Sequence, residues 1–361
     1  MKTYRTGIVG TTHLSSHISA LNAAPRVELV AAAALADSER DRFQEHGIST
    51  IYSSYEEMLA NANLDIVEID TDPIQLYDIT LAAAEQGIHV LGEKPIAISL
   101  THADDMVAAC NRAGIQLAIY NIRRCDPYHV HAKRLLEAGY IGDLLSMRAT
   151  LRNSYPSGHS LINLGTHLFD IARYFAGDVE WLDGYVTTDG KPATPKDIQP
   201  HPGGMGPMAG DNAPTLLGYK NGLTPTIEFW QAEPEYFGIE LIGTKGALGL
   251  RVPESPCPLM HRSDALWSAN PKDNVWQPIK LSTAELAGRG PGSWDAVYRI
   301  AVEEFIRCIE TGDEHPLSGE QAVKALELIL ATYESHRLGT RLAIPLTERR
   351  HPLDLWLEEL G

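Results

Sequence analysis

The first 120 residues alternate between two hydrophobic periodicities, and this alternation limits the possible folds more than any other feature. Apolar runs of strand length at residues 6–10, 27–33, 65–69, 88–92 and 115–120 are separated by stretches 13–22, 37–45, 54–60, 75–86 and 100–113, where apolar residues recur every three or four positions. The runs carry hardly any polar residues, as strands of a parallel sheet covered on both faces must. Repeated βαβ units of this kind, joined by right-handed crossovers, predict a doubly wound Rossmann sheet. Local signals agree: Ser99 stands where a helix needs an N-cap, and Gly87 and Gly114 stand where helices must stop.

A chain of 361 residues exceeds what one hydrophobic core ordinarily covers, which predicts two domains, residues 1–122 and 123–361. With 44% hydrophobic and 21% charged residues, neither a disordered nor a fibrous chain is indicated. After Asp126-Pro127 one more helix is expected at 128–138, and then β segments take over at 144–152, 215–219, 226–231 and 238–242. Asn221-Gly222 between two of these runs is a hairpin signal, so the second domain should be mostly antiparallel. Gly- and Pro-rich stretches at 187–210 and 253–292 read as surface loops, and long helices are expected at about 293–311 and 318–338.

Net charge is −17, and no run of Lys or Arg is long enough to follow a phosphate backbone, which argues against nucleic acid. No stretch approaches the roughly 20 apolar residues of a membrane span. The N-terminus has none of the zones of a signal peptide, so the chain is read as cytoplasmic. The four cysteines show neither zinc nor disulfide spacing, and the histidine pairs His129/His131 and His159/His167 lack metal spacing. No metal is expected.

The strand end Gly7-Ile8-Val9-Gly10 leads into a helix, where helix N-terminal N–H groups can meet a dinucleotide pyrophosphate. The usual spacing is GxGxxG; here the loop reads Gly10-Thr11-Thr12-His13-Leu14-Ser15 and keeps the first glycine. The acid that ordinarily holds the adenosine ribose falls near Ala34 or Leu35, while Asp37 comes late and is better suited to capping the next helix. Arg40 and Arg42 are within reach of a 2′-phosphate, so NAD and NADP both stay open. The segment Gly92-Glu93-Lys94-Pro95 places a lysine just past the carboxyl end of a parallel strand, where doubly wound sheets bind ligands. A lysine there can stabilise charge on a substrate oxygen as hydride leaves or arrives.

Residues 87–95 resemble the AGKHVxxEKP signature of the Gfo/Idh/MocA oxidoreductases, the glucose-fructose oxidoreductase and inositol dehydrogenase family. Further segments match in order: Asn121-Ile122-Arg123-Arg124-Cys125-Asp126-Pro127, Asn163-Leu164-Gly165-Thr166-His167-Leu168-Phe169-Asp170, Ile242-Gly243-Thr244-Lys245-Gly246-Ala247-Leu248 and Ala331-Thr332-Tyr333-Glu334-Ser335. The resemblance covers nearly the whole chain. It implies an α+β second domain with an open, mostly antiparallel sheet that supports a homodimer or homotetramer, and a nicotinamide cofactor, NAD or NADP.

It further implies Lys94 as the catalytic lysine across a domain cleft from His167, the acid/base, with Asn163 at the position of a catalytic aspartate. Asn163, Arg123 and His159 join Lys94 and His167 as substrate contacts. The cofactor would be held by Gly10, Thr11, Thr12, His13, Leu14, Asp37, Thr71, Asp72, Leu76, Glu93, Lys94 and Asn121. Asn163 can orient a hydroxyl but supplies no charge to a neighbouring imidazole. The loop commonly written ATPxxxH appears here as Asp70-Thr71-Asp72-Pro73-Ile74-Gln75-Leu76, with Leu76 at the histidine position. The leading reading is an NAD(P)-dependent oxidoreductase acting on a secondary hydroxyl or ketone of a sugar, polyol or glycoside. The alternatives are a relative that performs elimination or glycosidic cleavage, and a non-catalytic sugar- or nucleotide-binding subunit.

Overall fold

The structure, a computed structural model, describes residues 2–252, 257–263, 275–290 and 293–359. The chain forms two units. The first comprises Met1–Cys125, Pro202–Met205 and Ser293–Val323, and the second Asp126–His201, Gly206–Gly292 and Lys324–Gly361. The sequence boundary at 122/123 assigned everything beyond it to the second domain. In the structure the segment Ser293–Val323 returns to the first.

In the first unit, β1 (Tyr4–Val9), β2 (Val27–Ala33), β3 (Ile51–Tyr52), β4 (Ile66–Ile69), β5 (His89–Gly92) and β6 (Leu117–Ile119) form one sheet in the order β3-β2-β1-β4-β5-β6. Every pairing in it is parallel. The helices are α1 (Leu14–Ala23), α2 (Asp37–Glu45), α3 (Tyr55–Asn61), α4 (Pro73–Glu85) and α5 (Leu100–Ala113). Ile66, Val67, Ile69, Val90 and Leu91 are fully buried, which is why these strands read as mostly apolar runs, with Glu68 buried among them. One face is closed by the Asp295–Thr311 helix, whose Val297, Ala301, Val302 and Phe305 join Tyr4, Leu21, Leu91 and Tyr120 in a single core cluster. Ser99 caps α5 by accepting from His102 N at 3.3 Å, and Gly114 ends it in the left-handed region.

The second unit is built on a nine-stranded mixed sheet. Its central strand β7 (Leu144–Asn153) pairs antiparallel with Tyr236–Gly243 and parallel with Thr226–Gln231; the remaining pairings are antiparallel. Strands Thr215–Tyr219 and Thr226–Gln231 are joined through the Asn-Gly turn, with Gly222 at φ 83° and its N–H donating to Tyr219 O at 2.9 Å. Helices α6 (Pro127–Glu137), α7 (Ser157–Asn163) and α8 (Gly165–Ala176) accompany the sheet. The loop expected at 187–210 contains two short antiparallel pairs, Thr187–Thr188 with Lys191–Pro192 and Gln199–Pro200 with Pro207–Met208. The loop expected at 253–292 lies partly outside the described residues; within it, Leu259–Arg262 and Gln277–Pro278 add strands to the sheet.

His351, buried, caps the final helix Pro352–Glu358 by accepting from Leu353 N at 3.2 Å, and burial pushes its pKa down to about 3. The folded protein therefore holds this imidazole neutral, whereas the unfolded chain binds a proton below about 6.5. Its stabilising contribution is complete above pH 6.5 and falls as pH drops through the window from 6.5 to 3. About 2–3 kcal/mol should be lost by pH 4.5. His351→Asn keeps a capping acceptor but removes the titration. Urea unfolding at pH 7 and pH 4.5 should show a smaller pH dependence for the variant; an identical dependence would refute the assignment.

Candidate active site

The site in the first unit is organised by the close approach of the carboxyl ends of β1 and β4. Gly10 takes φ +86°, and a Cβ there would meet Asp70 O at 2.3 Å and Thr71 Cγ2 at 2.5 Å, so only glycine permits this turn. The loop then folds onto Asp70. Thr12 donates to Asp70 O through its backbone N–H (3.3 Å) and its hydroxyl (3.1 Å), and His13 N donates to Asp70 Oδ2 at 2.7 Å. Asp70 thus satisfies two backbone N–H groups of the helix-entry loop, the kind of donor expected to meet a pyrophosphate, as well as the Thr12 hydroxyl. Leu14 is buried in the hydrophobic cluster beneath α1.

Toward β2, Arg42 Nη1 donates to Thr11 Oγ1 at 2.7 Å. The alternative role of Asp37 as a helix cap is not what the structure shows: Ala36 is the N-cap of α2, and Asp37 is its exposed first residue. The carboxylate that turns back to the end of β2 is Glu39, whose Oε2 accepts from Leu35 N at 2.6 Å. Asp37 begins the helix, and Glu39, two residues further along α2, takes the place beside the end of β2. The Gly10 turn, the Thr11 hydroxyl, the Arg42 guanidinium and the Glu39 carboxylate form a donor and acceptor set that fits the phosphate and ribose end of a dinucleotide.

Past β4, Thr71 packs its methyl beside Gly10 and donates its hydroxyl to Asp72 O, while Asp72 N-caps α4 by accepting from Ile74 N (2.9 Å) and Gln75 N (3.1 Å). Leu76 is buried, with its Cδ1 2.6 Å from where a Cβ on Gly92 would stand, so it fills the space over β5. Asn121, also buried, donates its N–H to Ile119 O at 2.6 Å and carries the chain off β6. Arg123 stacks on Trp294, its guanidinium carbon 4.1 Å from the ring centroid.

Beyond β5 lies a buried polar cluster. Glu93 accepts from Tyr298 OH at 3.1 Å and from Lys94 N at 3.0 Å, and its Oε1 meets His17 Nε2 at 3.1 Å. His17 bonds through Nδ1 to Glu68, which also accepts from Tyr120 OH at 3.0 Å. Burial opposes ionisation of Glu93, yet the His17 hydrogen bond and the charges of His17, Lys94 and His13 hold it well below the usual carboxylate range. Burial likewise opposes charge on His17, and Glu68 and Glu93 overcome it and raise its pKa. Lys94 is partly buried, and that burial lowers its pKa against the opposing pull of Glu93 and Asp70. The sequence reading expected no metal cluster. The fold nevertheless gathers His13, His17, Asp70 and Glu93 with their ligand atoms within 4.8 Å of one another. One signal was legible, namely His13 and His17 one helical turn apart; Asp70 and Glu93 come from other strands.

The second unit carries the remaining predicted residues. Asn163 ends α7 and His167 lies in the first turn of α8, with Leu164 serving both helices as a cap. His167 is buried, and its N–H donates to Leu164 O at 3.1 Å. His159 on α7 stacks between Tyr155 (4.6 Å) and His201 (4.4 Å). Helix α7 is positioned by Asn153 Oδ1, which accepts from Ser160 Oγ at 2.9 Å, and by Gly158, where a Cβ would meet Ala209 O at 2.4 Å. Neither His201 nor this helix pair was anticipated.

A doubly wound parallel sheet with a glycine turn after β1 and a lysine past the end of β5 defines a Rossmann-type nucleotide-binding domain. Residues 4–121 match the oxidoreductase family, NAD-binding Rossmann fold (GFO_IDH_MocA), and residues 129–249 match the GFO/IDH/MocA C-terminal domain. The chain belongs to the Gfo/Idh/MocA family. It is 28% identical to D-apiose dehydrogenase of Paraburkholderia graminis, over 98% of this chain and 92% of that one. It is also 28% identical to D-xylose 1-dehydrogenase (NADP(+)) 2 of Haloferax volcanii, over 94% and 99%. Among solved structures, levoglucosan dehydrogenase in complex with NADH and levoglucosan shares the fold, with TM-score 0.81 at 19% identity over 96% of this chain and 100% of that one.

Proposed function

We propose that the protein is an NAD(P)-dependent dehydrogenase that oxidises a secondary hydroxyl of a sugar or polyol, or reduces the corresponding ketone. The observation that carries this reading is the near full-length similarity to sugar dehydrogenases in a chain that keeps both Lys94 and His167. When bound, the nicotinamide supplies the hydride acceptor. Gly10, Thr11, Arg42 and Glu39 would hold its phosphate and ribose end. Lys94 donates a hydrogen bond to the reacting oxygen and stabilises the negative charge that grows on it as its proton leaves. His167 accepts that proton, and Asn163 orients the substrate hydroxyl through its amide. His159 and Arg123 bind other hydroxyls of the substrate.

We also place the protein in the cytoplasm, in keeping with four free cysteines, and read it as a homodimer or homotetramer. The exposed face of the nine-stranded sheet, with Arg148, Trp230, Tyr236 and Glu240, supports self-association. No helix among the described residues is long and apolar enough to cross a membrane.

A panel of sugars, inositols and glycosides, followed by nicotinamide absorbance with NAD and NADP, should yield turnover on at least one polyhydroxylated substrate. The reading fails if no nicotinamide co-purifies and calorimetry shows no binding of NAD, NADH, NADP or NADPH.

A further inference from the structure

The cluster at the carboxyl ends of β1, β4 and β5 has the composition and spacing of a metal centre. His13 Nδ1 lies 3.4 Å from Asp70 Oδ1 and 3.9 Å from Glu93 Oε1. His17 Nε2 lies 3.8 Å from Asp70 Oδ1 and 3.1 Å from Glu93 Oε1. A tetrahedral zinc ion with bonds of about 2.0–2.1 Å requires ligand atoms roughly 3.3–3.4 Å apart. The four distances run from 3.1 to 3.9 Å around that value, and all four ligand atoms lie within 4.8 Å of one another, so the side chains would close on an ion by small rotations.

A second observation points to a ligand. Asp70 is fully buried, and its Oδ1, directed at both imidazoles, accepts no hydrogen bond, whereas Oδ2 is bonded to His13 N. A buried carboxylate oxygen left in this state is costly unless a cation completes it. The surrounding groups are those of a supported metal ligand set. Glu68 holds His17 Nδ1 and thereby orients Nε2 toward the cluster, while Tyr298 OH and Lys94 N fix the carboxylate of Glu93. The His13 side chain is 45% exposed while those of the other three are 0–3% exposed, so His13 provides the entry path.

We propose that His13, His17, Asp70 and Glu93 form a four-coordinate site for a divalent transition-metal ion, zinc by preference. Two imidazoles with two carboxylate oxygens suit zinc and its neighbours; magnesium and calcium require six or more oxygens. With four protein ligands the site is closed, and its effect is to tie the first turn of α1 to the ends of β4 and β5. The inference draws on the first unit alone; it shares His13 and Glu93 with the residues that the family resemblance assigns to the cofactor, and its metal-binding readout is independent of dehydrogenase activity.

The test is titration of chelator-stripped full-length protein with Zn2+ against a chromophoric competitor, together with the absorption spectrum of the Co2+ form. One Zn2+ per chain and an intense tetrahedral Co2+ spectrum are expected. His13→Ala, a half-exposed position that the fold does not need, should weaken Zn2+ binding by at least about tenfold with unchanged circular dichroism, and Asp70→Asn should do the same. Absence of stoichiometric Zn2+ binding, a six-coordinate Co2+ spectrum, or equal affinity in His13→Ala would overturn the proposal.

Discussion

Lys94→Ala is expected to lower kcat/KM by about 10²- to 10⁴-fold once a substrate is in hand, the range typical of losing a positioned proton-transfer or charge-stabilising group. Lys94 follows β5 directly and is partly buried beside Glu93, whose backbone-bonded carboxylate keeps the turn in place. Truncation removes the ammonium, which interacts with the charges of Glu93 and Asp70. Glu93 retains His17 and Tyr298 as partners, so the fold should survive, and the urea midpoint should match that of the parent within error. The loss should fall on kcat as much as on kcat/KM, because the charge that Lys94 stabilises develops only as the proton leaves the hydroxyl. Normal turnover in a folded Lys94→Ala protein would remove Lys94 from the chemical step.

Arg289→Ala should be strongly destabilising, costing about 3–5 kcal/mol. Arg289, Asp126 and His129 are all buried in the second unit. Arg289 Nε lies 3.2 Å from Asp126 Oδ1, and His129 Nδ1 lies 2.6 Å from Asp126 Oδ2. Removing the guanidinium leaves a buried carboxylate without this ion-pair partner. Asp126→Asn in the Arg289→Ala background should recover part of the loss, since a neutral amide is far cheaper to bury than a charge. Urea unfolding of the two single variants and the double variant measures the coupling. A loss below about 1 kcal/mol for Arg289→Ala would show that the pair is not what holds this segment.

These expectations rest on features of differing legibility. Helices α2 and α5 occupy the residues that their periodicity predicted, and the strands of the first sheet differ from their apolar runs by only a few residues at their ends. Burial on both faces writes itself into consecutive residues. The two-residue strand β3 went unread because it is too short to show any period. The helix pair α7 and α8 was missed as secondary structure although its residues were noticed as motif. The return of Ser293–Val323 to the first unit could not be read from a helix whose apolar stripe only reports that something covers it.

The candidate site shows the same division. Lys94 is legible because it follows a recognisable strand, and His167 because it sits in a family motif. The tie from Glu39 to Leu35 N and the docking of Thr12 and His13 on Asp70 depend on which side chains turn toward one another. What the sequence alone determined is the doubly wound sheet, the family and the lysine at the end of β5, because hydrophobic period and contiguous motifs are local properties of a chain. The gathering of His13, His17, Asp70 and Glu93 around one buried, unsatisfied oxygen was decided only by tertiary structure. Those residues come from the start of α1 and the ends of β4 and β5, and the parallel register of β1, β4 and β5 brings them to the same level.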